Sequence, residues 1–334
     1  MVDVAPPSSE RAAEVGARDP LGAVLDGKYR IVRLIGRGGM GAGYEGVHVE
    51  VGRRIAVQLV DPGRAHLGEV VARFRREGRA AGRIESDHVV KVFDVGDDPN
   101  FGLYMVMEYL EGQDLADRLD REGRLEIGVA AEIAHQIGRA LWRAHTVGVI
   151  HRDLKPANVF LARRDDGGVN VKLLDFGVSK LQDEEKRRRS AITLVGAAVG
   201  TPQYMSPEQG QGLRVDQRTD IWGLGALLYE MLAGRPAYES RETYEQTILS
   251  ILLNPPRKLT DVAPWVPPSL SVVVERAMMH EREQRIPDAV TFMQQLTDAG
   301  FPPGESALTP LPSRLAQSSA LELRDERLAD EDTA

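Results

Sequence analysis

The sequence predicts an α+β fold built from two unlike parts, and two features point to it. From Tyr29 to Glu111, β-branched runs are punctuated by glycine, the pattern of short strands. After Gly112 the apolar residues recur at helical spacing instead. Strands gathered ahead of helices favour α+β over alternating βαβ units.

Taken in order, residues 1–27 are rich in Pro, Ser and charge, with weak periodicity, and are expected to be a flexible lead-in. The first structured part spans 28–111. Its strand "YRIVRLI" runs into "GRGGMG", where Gly36, Gly38 and Gly41 let backbone turn sharply and approach a phosphate. A dinucleotide-binding turn uses the same glycine spacing but must open a helix. Here "YEGVHVEVGRRIAVQLV" follows, with strand alternation and a turn at Gly52, so a glycine hairpin between strands is expected. A Walker loop is excluded because no Gly-Lys-Ser/Thr follows. One helix, within Leu67–Ile84, interrupts the strands.

The second part spans 112–300. "GVAAEIAHQIGRALWRAHTVG" puts Ile133, Ile137, Ala140, Leu141 and Ala144 on one helical face. "IWGLGALLYEMLAG" is apolar but short and carries Glu230, so it reads as a buried core helix. Residues 301–334 are proline-rich and then acidic, a flexible tail.

The chain has 334 residues, 42% hydrophobic and 28% charged, ample for a sizeable core. A net charge of −8 argues against nucleic acid or an anionic membrane as partner. The absence of Cys excludes disulfides, thiolate nucleophiles and Cys-based zinc sites. The N-terminus lacks the apolar stretch of a signal peptide and no run is long enough to cross a membrane, so the expected location is cytoplasmic.

Chemistry concentrates in two stretches. "VIHRDLKPANVFL" supplies Asp153, Lys155 and Asn158 on a loop between a helix and a strand. "VKLLDFGVSK" supplies Asp175 at the end of an apolar strand. Asn158 and Asp175 offer the oxygen ligands that Mg²⁺ takes when it is shared with phosphates. Asp153 is a carboxylate suited to orient a hydroxyl and accept its proton, and Lys155 can neutralise a transferring phosphoryl group. Each alone is an ordinary loop charge; together at this spacing they are not.

With the Gly-rich loop, "HRDLKPAN", "DFG", "GTPQYMSPE" and "DIWGLG", the chain resembles the Hanks-type protein kinases over about Tyr29–Leu296, the bacterial Ser/Thr branch most closely. The resemblance implies a bilobal protein-kinase-like fold, with a β-rich N-lobe carrying one helix and a mainly helical C-lobe. It implies ATP and Mg²⁺, with Mn²⁺ as the alternative ion, and phosphorylation of Ser/Thr on proteins. By position, Asp153 would be the catalytic base, and Asn158 and Asp175 the metal ligands. Glu108 and Leu110 would offer backbone to adenine behind Met107, and Thr201 would sit near the acceptor hydroxyl. Phe176 would pack under the helix carrying Glu77, Glu208 would pair with Arg285, and Asp220 would hold the Asp153 loop by its backbone. Arg152 would read a phosphate on the segment after Asp175, where Ser190 and Thr193 are the candidate sites.

Two positions depart from the family pattern. "IAVQ" stands where the family has V-A-x-K, so Gln58 replaces the lysine that links the phosphates to Glu77. Strand alternation puts Ala56, under the adenine, and Gln58 on one face. Arg54 shares that face but lies about 13 Å along the strand, too far to substitute; Arg37 is the cation left in the Gly-rich region. Gly43 replaces the usual valine over adenine. Both changes predict a slow kinase. The alternative they raise is a pseudokinase that regulates a partner, such as another kinase, through shape.

Overall fold

The computed structural model describes residues 19–38, 41–61, 68–164, 166–176 and 201–304. The sequence expectations for residues 1–18 and 305–334, and for Ser190 and Thr193, lie outside the described residues. The chain divides into two compact units. The first holds the described residues through Gly78 together with Lys91–Glu111, and the second holds Arg79–Val90 and the chain from Gly112. Arg79–Val90 joins the second unit because Ala80, Ile84 and Val89 pack into its core.

The first unit contains β1 (Val24–Leu25), β2 (Tyr29–Gly38), β3 (Gly41–His48), β4 (Arg54–Val60), α1 (Gly68–Ala81) up to Gly78, β5 (Val92–Asp98) and β6 (Gly102–Glu108). They form a six-stranded antiparallel sheet in the order β1-β2-β3-β4-β6-β5. Alternation along β4 sorts its side chains as the sequence predicts. Ile55, Val57 and Leu59 enter one cluster with Ile31, Tyr44, Tyr104 and Val106, while Ala56 and Gln58 stay half-buried on the other face. Val60 packs with Phe74 of α1, Leu103 and Met105. The glycine-rich stretch is a strand hairpin, β2 to β3, with no helix after it. Gly41 is required there: its φ is +152°, and a Cβ would lie 1.9 Å from the Leu59 carbonyl oxygen.

The second unit opens with β7 (Gly112–Asp114), α2 (Leu115–Glu122) and α3 (Ile127–Thr146), followed by β8 (Val159–Arg163) and β9 (Val169–Leu173). Strands β7-β8-β9 make a three-stranded antiparallel sheet. Then come α4 (Pro207–Gly210), α5 (Gln217–Ala233), α6 (Tyr244–Leu253), α7 (Leu259–Val262), α8 (Pro268–Ala277) and α9 (Ala289–Asp298). The α3 stripe of Ile133, Ile137, Ala140, Leu141 and Ala144 is fully buried. Helix α5 is buried nearly all round, as a central core helix must be. Its Gly223 allows close approach to the loop beyond α3, since a Cβ there would come 2.9 Å from the Leu154 Cβ. Among the described residues no helix is long and apolar enough to cross a membrane.

Candidate active site

In the second unit, the loop between α3 and β8 presents Asp153, Lys155 and Asn158. Asp220, near the start of α5 and 1% exposed, fastens that loop from beneath. Its Oδ2 accepts the His151 backbone N–H and its Oδ1 the Arg152 N–H, both at 2.8 Å. The His145 ring adds a 2.7 Å contact to Oδ2. Burial alone would raise the Asp220 carboxyl, but the His145 bond, the nearby histidines and the Arg152 N–H outweigh it and hold the group below its ordinary value. A charged hook under the loop is thereby maintained.

The second restraint is His151. Its Nε2 donates to the Leu174 carbonyl at 2.9 Å, and its Nδ1 accepts the Asp153 N–H at 3.3 Å. One neutral ring thus ties the Asp153 loop to the end of β9, consistent with burial lowering its pKa. Leu174 N–H also donates to the Asn158 carbonyl at 3.0 Å. Arg152 (φ 67°) and Asp175 (φ 48°) both adopt positive φ, a conformation costing about 1–3 kcal/mol for such residues. The bonds around them offset that cost. Phe176 is 1% exposed, tilted against His151 at 4.7 Å between centroids, in the cluster that contains Ala80 and Ile84.

The candidate side chains converge. Lys155 Nζ lies 3.3 Å from Asp153 Oδ2. Asn158 Nδ2 donates to the Asp153 carbonyl at 2.8 Å and to Asp153 Oδ2 at 3.3 Å. That use of Nδ2 leaves Oδ1 as the Asn158 acceptor for a cation. Asp175 is exposed to solvent yet crowded by surrounding protein. This desolvation pushes its carboxyl up, Asp153 adding and Lys155 and His151 opposing. A bound cation favours the ionised form of a carboxylate raised by crowding and a like charge. The donor set of one carboxylate and one amide oxygen suits a metal completed by phosphate oxygens and water. Consistent with that sparse set, no cluster of three or more His, Cys, Asp or Glu capable of holding a metal occurs among the described residues.

Further along, Thr201 stands exposed at the head of the turn Pro202–Tyr204. Glu208 meets Arg285 in a buried two-pronged pair at 2.8 and 3.1 Å, with Thr219 donating to the same carboxylate at 2.8 Å. Burial raises Glu208, but the paired bonds and the charge of Arg285 prevail and its carboxyl is lowered. Ser206 and Gln209 form a capping box on α4, and Gln209 Nε2 donates to the Arg152 carbonyl at 2.8 Å. This link escaped the sequence reading. The signal was present as S-x-x-Q ahead of a helix. Ser206→Ala should lower stability by about 1 kcal/mol in urea unfolding; an unchanged midpoint would show that the cap contributes nothing.

Tyr204 donates to Glu230 Oε2 at 2.7 Å. Burial pushes Glu230 from 4.5 up to about 7, the Tyr204 bond opposing and Asp120 adding. The unfolded carboxyl therefore loses its proton first, and this group's contribution to stability falls as pH rises from 4.5 to about 7. Glu230→Gln keeps an acceptor for Tyr204 and removes the charge. The variant should gain about 1–2 kcal/mol over wild type above pH 7, after discounting for partial solvent access, and show no gain at pH 4.5. Melting curves across pH test this, and parallel profiles would refute it.

The first unit places the remaining predicted residues. Gly36 and Gly38 lie on β2 and Gly41 opens β3. The register sets Ala56 between Glu45 and Met107, and Gln58 between Gly43 and Met105. Gly43 and Gln58 are thus direct cross-strand partners on one face. Glu77 is half-buried on α1. Glu108 ends β6, its N–H donating to the Lys91 carbonyl at 2.9 Å, so the backbone at Leu110 lies beyond the sheet ladder. Arg54 is engaged with Glu45 at 2.9 Å and Glu111 at 2.5 Å, which supports the expectation that it does not stand in for the missing lysine.

A β-rich unit with a glycine hairpin, joined to a helical unit that presents Asp153, Lys155, Asn158 and Asp175 on braced loops, defines a protein kinase domain. Residues 29–297 match the protein kinase domain family, and the chain belongs to it. It is 38% identical over 285 residues to the serine/threonine-protein kinase Pkn1 of Myxococcus xanthus, covering 85% of this chain and 40% of the relative. It is 32% identical over 305 residues to the serine/threonine-protein kinase PknA of Mycobacterium tuberculosis, covering 90% of this chain and 68% of the relative. The crystal structure of the Mycobacterium tuberculosis PknI kinase domain matches with a TM-score of 0.66 at 27% identity, covering 85% of this chain and 100% of that one. The chain spans about half the length of the curated relatives it matches. Members of this family use ATP with a divalent metal and act on proteins.

Proposed function

We propose that this chain is a serine/threonine protein kinase of reduced rate, transferring the ATP γ-phosphate to Ser/Thr of a protein substrate. The observation that carries the reading is the cluster of Asp153, Lys155 and Asn158 on a loop hooked to Asp220 and tied by His151 to the strand leading into Asp175. Asp153 would orient the acceptor hydroxyl and take its proton, while Lys155 would face the transferring phosphoryl group. Thr201 would stand beside the acceptor. Asn158 and Asp175 would hold Mg²⁺, with Mn²⁺ as the alternative, and the ion would neutralise charge on the phosphates. Gly36, Gly38 and Gly41 would cover the phosphates, Ala56 would underlie the base, and Glu108 and Leu110 would meet its edge. Gln58 and Glu77 would occupy the places of the phosphate-linking pair.

One observation favours a second reading, a pseudokinase that binds and regulates a partner. Gln58 and Gly43 face each other across β3 and β4, so one spot of the sheet lacks both the cation and the apolar roof. Transfer of labelled γ-phosphate to the chain itself and to a basic protein, with Mg²⁺ or Mn²⁺, separates the two. Label above the background of an Asp153→Asn sample supports the kinase. None with either metal supports the pseudokinase.

A further inference from the structure

The backbone at Tyr109–Glu111 lies past the last ladder residue of β6, so the sheet does not fix it. Side chains do. Glu45, on the Ala56 face of β3 and only 8% exposed, takes Arg33 at 2.5 Å on Oε2 and Arg54 at 2.9 Å on Oε1. Arg33 also donates to the Tyr109 hydroxyl at 2.9 Å. Arg54 reaches Glu111 at 2.5 Å and lies over the Tyr109 ring, 4.1 Å from its centroid. Both neighbours of Leu110 are therefore anchored through two arginines to one carboxylate.

We infer that Glu45, through Arg33 and Arg54, is a positioning residue for the adenine end of the nucleotide site. This rests on the reading above, in which Leu110 backbone meets adenine. Two features support it. Glu45 lies in the same row as Ala56 and Met107. It is the covered member of the network, whereas Arg54 and Glu111 are 47% and 55% exposed. A lone exposed pair would position little, but a shared and mostly buried acceptor holds two long side chains in one geometry. With Glu45 neutral, the two guanidinium groups face each other without their common anion, and Tyr109–Glu111 loses its pre-set position. Binding then has to order that segment, which weakens affinity at the base and not at the phosphates.

The test uses the full chain and calorimetric titration with adenosine and with Mg·ATP, comparing wild type with Glu45→Gln. Both affinities should fall by the same factor, about fivefold to tenfold. In transfer assays KM for ATP should rise while kcat holds. Glu111→Gln, at an exposed position that does not threaten folding, should give the same pattern at about twofold to threefold. Unchanged adenosine affinity, or a loss confined to ATP, would overturn the inference, as would a lowered melting temperature with both affinities intact. If wild type binds neither adenosine nor Mg·ATP, the nucleotide reading itself falls and this inference with it.

Discussion

Asp153→Asn should lower the rate of phosphate transfer by about 10²–10⁴-fold while leaving the fold and nucleotide affinity near wild type. Asparagine fills the same space and can still accept a hydrogen bond from Asn158 Nδ2, so the loop keeps its Asp220 and His151 ties. What goes is the carboxylate proposed to take the hydroxyl proton, and with it the charge beside Lys155, 3.3 Å away. One compensating effect can be read in advance. Asp153 is among the groups that raise the Asp175 carboxyl, so its neutralisation lets Asp175 ionise more readily. Metal-dependent nucleotide binding should therefore hold in the variant. Single-turnover kinetics with Mg·ATP and a titration of affinity check the two halves separately. Loss of binding in parallel with rate would mean that Asp153 acts through structure and not as a base.

How much of this was legible in the sequence varies with how local the cause is. The hairpin at Gly36–Gly41 and the alternation of β4 follow from neighbouring residues alone, because backbone freedom at glycine and the two-residue strand period are local. The Asp153 loop and Asp175 could be named from spacing, and Glu208–Arg285 and the Asp220 hook from resemblance. The bracing around them was not legible. His151 joins two segments through a single ring, and nothing in "VIHRDL" states what its Nε2 will meet. The Glu45 network depends on register across β2, β3 and β4 and on where the chain turns after β6. Arg54 could be placed on the cleft face by parity, but its commitment to Glu45 and Glu111 required the pairing to be known. Gly43 and Gln58 read as two separate departures until the register made them partners.

That pairing sets up the second large effect. Gln58→Lys should raise transfer by about tenfold to a hundredfold, the value of a charge-assisted hydrogen bond of about 1.5–3 kcal/mol restored to the transferring phosphates. The substitution is feasible where it stands. Gln58 is half-buried, and its cross-strand neighbour on β3 is a glycine that presents no side chain to obstruct a longer stem. The same glycine limits the gain, because an unconstrained stem loses more rotamer freedom on binding. Gln58→Lys combined with Gly43→Val should therefore exceed the sum of the two single effects in free energy, the valine packing the stem and covering the base. A double-mutant cycle on kcat/KM measures the coupling. Strict additivity would mean the two positions act independently despite their contact across the strands. No gain from Gln58→Lys, with nucleotide affinity intact, would mean that the chain's rate is set elsewhere, and Arg37 would then be the next cation to remove.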